Sequence, residues 1–227
     1  MSLCLSIMQP YLFPYIGYYY LIQRSDLHVI LDDVNFIKKG FINRNSIMGT
    51  EENKDVRFNL KINKISQNKL ISEHTVFHEN YDLINFMQTK LRNVDPDLIS
   101  SLIMLIRSSE NANLVDVLQL TILELNKHLG IHTPIIRSSD LKSAKDLSGT
   151  EKILQICKSL GASHYINLPG GRLIYRNEVF QEKNLQLQFV DLTEIEHCFP
   201  KGVSIYQSIL GLLNTQYAAS VFKALDR

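Results

Sequence analysis

Two periodicities divide the chain. Residues 3–8, 27–31 and 164–168 are short, mostly apolar runs without strict alternation, the pattern of strands buried on both faces. Residues 131–137, interrupted by Pro134, predict a further short strand. Residues 185–191 alternate apolar with polar, as a half-buried strand at a sheet edge does. Between these runs, apolar residues recur at helical spacing over 18–24, 81–91, 96–107, 114–129, 151–160, 177–183 and 203–222. The punctuation agrees. Asp95 stands as an N-cap before Pro96, Gly130 and Gly161 close helices, and either Thr150 or a capping box of Ser148 with Glu151 starts the helix at 151–160.

Strands near positions 5, 29, 134, 165 and 188, with helices between them, predict an α/β fold built on a mainly parallel, doubly wound, Rossmann-like sheet. Residues 56–62 alternate as a strand with one wet face and are expected to pair with residues 70–77, a small β addition after a polar turn at 50–55. Residues 1–227 thus read as a single α/β domain. Within it, residues 50–130 form an insertion or lid made of that β addition and helices.

Composition narrows the partners. A net charge of +1 over 227 residues, with no long Lys and Arg run, argues against a nucleic-acid partner. Cys4, Cys157 and Cys198 are widely spaced, which suits a reducing compartment and gives neither a disulfide framework nor a metal site. No basic leader precedes an apolar core and no 18-residue apolar stretch occurs, so a soluble, cytoplasmic chain without membrane insertion is expected. A homodimer is compatible with this composition.

Candidate chemistry concentrates in the first 45 residues. After the first strand come Met8-Gln9-Pro10-Tyr11-Leu12-Phe13-Pro14-Tyr15-Ile16-Gly17-Tyr18, where the prolines end ladder pairing and enforce a shaped loop. Gln9, Tyr11, Tyr15 and Tyr18 offer amide and phenol groups, Gly17 allows close approach, and a helix beginning there aims free N–H groups at a phosphate. Such a loop can equally pack on the sheet. The block from Asp32 to Asn45, with Asp32, Asp33, Lys38, Asn43, Arg44 and Asn45, is too polar for core. Consecutive carboxylates on a strand face opposite ways, and Asp33, further past the strand end, is the better site candidate. His74 and His78 share one face as either helix or strand, without a third ligand at metal spacing. A second strand-end loop, Pro169-Gly170-Gly171-Arg172, pairs accessible backbone at Gly171 with a guanidinium at Arg172 suited to phosphate.

The pattern M-Q-P-Y-x-F-P-Y-x-G-Y, followed by D-D-V-x-F-x-K and N-R-N, resembles the WbqC-like family of bacterial O-antigen and related polysaccharide gene clusters. The likeness extends more loosely through residues 66–71, 149–153 and 199–209, with Phe41 where the family usually has Trp and a divergent segment after Asn214. A second resemblance joins Tyr15-Ile16-Gly17-Tyr18 to the H-x-G-H signature of nucleotidylyltransferases and pantothenate synthetase, with Tyr in both His positions. It implies a nucleotidyltransferase-like sheet and phosphate-facing Tyr15 and Tyr18. Tyrosine donates a hydrogen bond but carries no positive charge at neutral pH.

The polysaccharide setting implies an enzyme forming an amide on a nucleotide-linked amino sugar, an N-acyl or aminoacyl transferase. In it Arg44, Arg172 and Lys38 would hold the diphosphate, and Gln9, Asn43 and Asn45 would read hydroxyls. Asp32, Asp33 or His74 would accept the amine's proton. The H-x-G-H resemblance implies instead a ligase or nucleotidyltransferase using ATP with magnesium on Asp32 and Asp33. A non-catalytic binding protein of the same pathway is the third reading. The cofactor is accordingly open between nucleotide and acyl donor, and the partner is a nucleotide-linked sugar or another small molecule. An active enzyme is expected to lose turnover, and keep its fold, when Asp33 or Arg44 becomes Ala.

Overall fold

The computed structural model describes residues 2–49, 54–141, 144 and 146–226. Five strands, β1 (Cys4–Met8), β2 (Leu27–Ile30), β5 (Ile135–Arg137), β6 (His164–Asn167) and β7 (Gln186–Phe189), form a parallel sheet in the order β5-β2-β1-β6-β7. The fold is α/β and Rossmann-like. Helices α1 (Ile16–Gln23) and α9 (Ala218–Leu225) cover one face, packing with Ile30 and Ile166, while α5 (Gly149–Ser159) and α6 (Asn177–Gln181) cover the other, packing with Val29 and Tyr165. Successive residues of β2 and β6 thus serve opposite faces, which is why those runs are apolar without alternating.

The small antiparallel pair differs from the expected one. β4 (Val56–Asn59) pairs with β3 (Arg44–Ile47), in register Asn45 with Phe58 and Ile47 with Val56, instead of with residues 70–77. Among the described residues, 70–77 make only isolated bridges, Asn35 with Leu70, Thr75 with Asn113 and Ile62 with Val76, the last being the expected pairing met at one position, and Ile71–Glu73 is a 3₁₀ turn. Buried His74 fixes that turn: its Nδ1 donates to the Leu70 carbonyl at 2.9 Å and its Nε2 accepts from Ser66 N–H at 3.2 Å. The polar turn expected at 50–55 lies partly outside the described residues, since 50–53 are not among them.

Helices α2 (Tyr81–Lys90), α3 (Pro96–Arg107) and α4 (Leu114–His128) share one apolar cluster with α1 and the β3–β4 pair. Asp95 caps α3 by accepting from Asp97 N–H at 2.8 Å, and Gly130 follows α4 with φ +72°. The helix expected at 203–222 is two, α8 (Ile209–Leu213) and α9, with the short α7 (Thr193–Glu196) before them. Asn214 explains the break: its side chain accepts from Asn93 N–H at 3.0 Å and donates to the Lys90 carbonyl at 2.8 Å, capping α2 across the interface.

Lys152 of α5 is 1% exposed in its side chain, and its ammonium lies 2.6 Å from the Asp33 carboxylate and 3.0 Å from the Ala144 carbonyl. Asp33 is therefore part of the core's electrostatics, and its loss is not neutral to the fold. Asp33→Ala strands a buried ammonium, and the expected cost is about 3–5 kcal/mol. Urea unfolding of this variant reads it, and an unchanged midpoint would refute the pairing.

Candidate functional site

β2 and β5 step away from β1 on one side, and the chain then crosses to β6 and β7 on the other. The order reverses between β1 and β6, and in such sheets the crevice beyond the carboxyl ends at that reversal is where ligands bind. A cavity of about 520 Å³ opens there, lined by Met8 and Gln9 after β1, by Asn167, Leu168, Gly170 and Gly171 from β6 and its loop, and by Tyr11, Tyr15, Phe41 and Tyr206. Phe41, Asn45 and Tyr206 also line a second cavity of about 880 Å³ over the β3–β4 pair, where Lys38, Lys39, Arg44 and Arg57 face a single carboxylate, Asp55. None of these four cations forms an ion pair among the described residues. The two compartments are contiguous, one aromatic and uncharged, one cationic.

This geometry sorts the expected site residues. Gln9, Tyr11, Tyr15 and Gly171 line the aromatic compartment, Lys38, Asn43 and Arg44 line the cationic one, and Asn45 lines both. Gly17, Tyr18, Asp32, Asp33, His74 and Arg172 line neither. Gly17 lies within α1, where a Cβ would come within 2.4 Å of the Tyr15 ring, so its smallness seats Tyr15 and opens no path to a ligand. Asp32, 1% exposed, accepts from Ser139 N–H at 3.0 Å and Ser139 Oγ at 2.7 Å, holding the turn after β5. Asp33 holds Lys152 and accepts from Ser138 Oγ. Both His74 nitrogens are occupied, and His78 is paired with Glu79 at 3.3 Å. Arg172 lies over the Phe189 ring, 5.2 Å from its centroid, at the β7 edge. Gly171 is also a packing glycine, since a Cβ would meet Asn167 Nδ2 at 2.7 Å.

Arg44 and the asparagines shape the site as well as lining it. Arg44 donates to the carbonyls of Gly40, at 3.0 Å, and Lys39, closing the turn that carries Lys38 and Lys39. Asn43 donates to the Leu60 carbonyl at 2.9 Å, and Asn45 to those of Leu12 and Phe13 at 3.1 and 3.0 Å. Among the described residues no partner holds the Gln9 side-chain amide. Burial raises the pKa of Tyr11, Tyr15 and Tyr206, with nearby Tyr206 adding to the rise at Tyr15 and Glu196 to that at Tyr206. These phenols thus stay protonated at neutral pH and act as hydrogen-bonding ring walls.

Tyr18 belongs to a buried polar chain that the sequence reading missed. Ser6 and His28 are register partners on β1 and β2, and Ser6 Oγ lies 2.7 Å from His28 Nδ1 and 2.8 Å from Ser25 Oγ. Tyr18 Oη lies 3.3 Å from His28 Nε2 and donates to the Gln9 carbonyl at 3.1 Å. Ser25 Oγ donates to the Ile22 carbonyl at 2.8 Å, so the single Ser6 hydroxyl hydrogen goes either to Ser25 or to Nδ1, while at the other end Tyr18 donates to the Gln9 carbonyl. Lys39, Arg57, Tyr206 and Asn167 were missed too. Asn167, at the carboxyl end of a predicted strand, was the one placed by a readable signal.

Residues 9–216 match the WbqC-like protein family. No curated protein and no solved structure matches the chain. Among the described residues, no helix is long and apolar enough to cross a membrane, and no cluster of three or more His, Cys, Asp or Glu could hold a metal ion.

Burial lowers the His28 pKa from 6.5 to about 3. His28 is neutral in the fold, whereas the unfolded chain takes up a proton as pH falls below about 6.5, so this residue's contribution to stability declines with falling pH. The decline is about 1.4 kcal/mol per pH unit until about pH 3. Urea unfolding at pH 6 and pH 5 is expected to show it, and His28→Gln to flatten it. An equal slope in both proteins would exclude His28 as the source.

Proposed function

The chain belongs to the WbqC-like protein family, and from that premise we propose that it binds a nucleotide-linked amino sugar and forms an amide on the sugar's amino group, as an acyl or aminoacyl transferase of polysaccharide synthesis. The observation that carries this reading is the joining of a cationic to an uncharged aromatic compartment at the sheet's reversal point. Lys38, Lys39 and Arg57 would take the diphosphate, with Arg44 holding the turn of the two lysines in place. Asn43 and Asn59 line the same compartment and offer amides for sugar hydroxyls. The proton acceptor changes from the sequence reading. Asp32, Asp33 and His74 are engaged elsewhere, and Asp55 is the carboxylate among the described lining residues, so the amine's proton is assigned to it.

The ligase reading receives less support. Tyr18 faces the core and not a phosphate, and both carboxylates expected to hold magnesium are taken up by Ser138, Ser139 and Lys152. A non-catalytic binding protein is the second reading, and one observation favours it: the aromatic compartment has no carboxylate or imidazole among its described lining residues.

Calorimetric titration with UDP- and dTDP-linked amino sugars tests the proposal. Lys38→Gln and Arg57→Gln are each expected to weaken binding about tenfold, since each removes one charge-assisted contact. Asp55→Asn should keep the affinity and cut turnover at least about a hundredfold. Absence of binding by every nucleotide sugar refutes the proposal; binding with no amide product under any donor leaves the binding-protein reading in its place.

A further inference from the structure

The compartment at the reversal point has no charged side chain among its described lining residues, although its neighbour holds four cations. A phosphate would meet no positive charge there, so an uncharged part of a ligand belongs in it. Most of its amides are spent. Asn45 donates to backbone carbonyls, and Asn167 donates to Tyr165 Oη and accepts from Leu168 N–H. Gln9 remains, an unengaged donor and acceptor suited to an amide or carbonyl.

The apolar surface also continues outward. Ile37, Phe41, Tyr206 and Ile174, all lining this compartment, are 51%, 55%, 60% and 67% exposed, and Leu173 beside them is 93% exposed. Isolated exposed apolar side chains are ordinary, but a set gathered at the mouth of one cavity marks a binding surface. A compact ring would be enclosed by the cavity and leave this rim unused. An elongated chain would use both. Phe41, Asn45 and Tyr206 are walls of both compartments, which therefore adjoin at these three residues.

Resting on the transferase reading above, we propose that this compartment is the donor subsite and takes a thioester whose acyl group and amide-bearing arm are uncharged, the arm lying against Gln9 and the Ile37–Ile174 rim. At the shared wall the amine nitrogen attacks the thioester carbonyl carbon. The C–N bond forms, the C–S bond breaks with its electron pair on sulfur, and the proton that Asp55 takes from the amine is returned to the departing thiolate, giving amide and thiol.

The test uses octanoyl-pantetheine, a thioester without phosphate, titrated into the full chain, with UDP and a UDP-linked amino sugar titrated separately. The probe should bind. Gln9→Leu and Ile174→Asp should each weaken it about tenfold without altering UDP affinity, and Arg57→Gln should weaken UDP without altering the probe. Failure of the probe to bind, an affinity in both variants unchanged from that of the unsubstituted protein, or its displacement by uridine would overturn the donor subsite, the last making the compartment a base pocket. These outcomes are separable from failure of the transferase reading, which shows as failure of the nucleotide sugar to bind.

Discussion

The carbonyl of Phe13 is the point on which the candidate site hangs. Phe13 has φ +44°, a left-handed conformation that bulky residues avoid at a cost of roughly 1–2 kcal/mol, yet its ring is fully buried and packs on Phe58. Two side chains hold the strained peptide. Asn45 Nδ2 donates to its carbonyl from β3 at 3.0 Å, and Ser208 Oγ donates to it from the segment before α8 at 2.8 Å. Around it the Ile209 N–H reaches the Pro14 carbonyl, Ser208 N–H the Ser46 carbonyl, and Gln207 Oε1 the Met48 N–H. Three segments distant in sequence are thereby locked together, and the faces they turn outward supply Tyr15, Phe41, Asn45 and Tyr206 to the cavities. Loss of the two side-chain bonds to this carbonyl would release the segments that carry the walls of both compartments.

Charge is partitioned as strictly as shape. The acidic pair after β2 is directed into the sheet's flank, where Asp32 organises the turn after β5 and Asp33 neutralises Lys152. With these carboxylates withdrawn, the cations from Lys38 to Arg57 face a compartment whose described lining holds one opposing charge. A ligand's phosphates would thus replace water around Lys and Arg without competing with internal ion pairs, a favourable setting for anion recognition.

Much of this architecture was legible in the sequence, because the parallel strands and their helices are specified by local pattern. The two strand-end loops were legible for the same reason: prolines after β1 and glycines after β6 cannot continue a strand. Residues 44–47 hid their nature, since buried Asn45 looks polar in sequence while its amide is satisfied by two backbone carbonyls. The opposite error arose at Asp32, Asp33 and His74. Their chemistry suggested a site, but the partners of the two carboxylates, Ser138, Ser139 and Lys152, become visible only when distant segments are brought together, and His74 is taken up by the turn formed by its own neighbours Ser66 and Leu70. Tyr206 was illegible because nothing local says that a C-terminal loop stacks on Tyr15, with ring centroids 5.8 Å apart.

The tyrosine at position 18 then has a physical reason that the H-x-G-H comparison obscures. Its ring is fully buried beside His28, with centroids 5.4 Å apart, and its hydroxyl bridges Nε2 to the Gln9 carbonyl. A histidine there would place a second imidazole in a core that already drives the first one's pKa down to about 3, and would offer shorter reach toward Gln9. Tyrosine spans the gap with one hydroxyl that lies beside Nε2 and donates to the carbonyl, and burial keeps it neutral. The polar chain that begins at Ser25 therefore ends on the backbone of the first residue of the binding loop. Tyr18 connects the sheet interior to the peptide that carries Gln9, and it does so by fixing a carbonyl instead of meeting a phosphate.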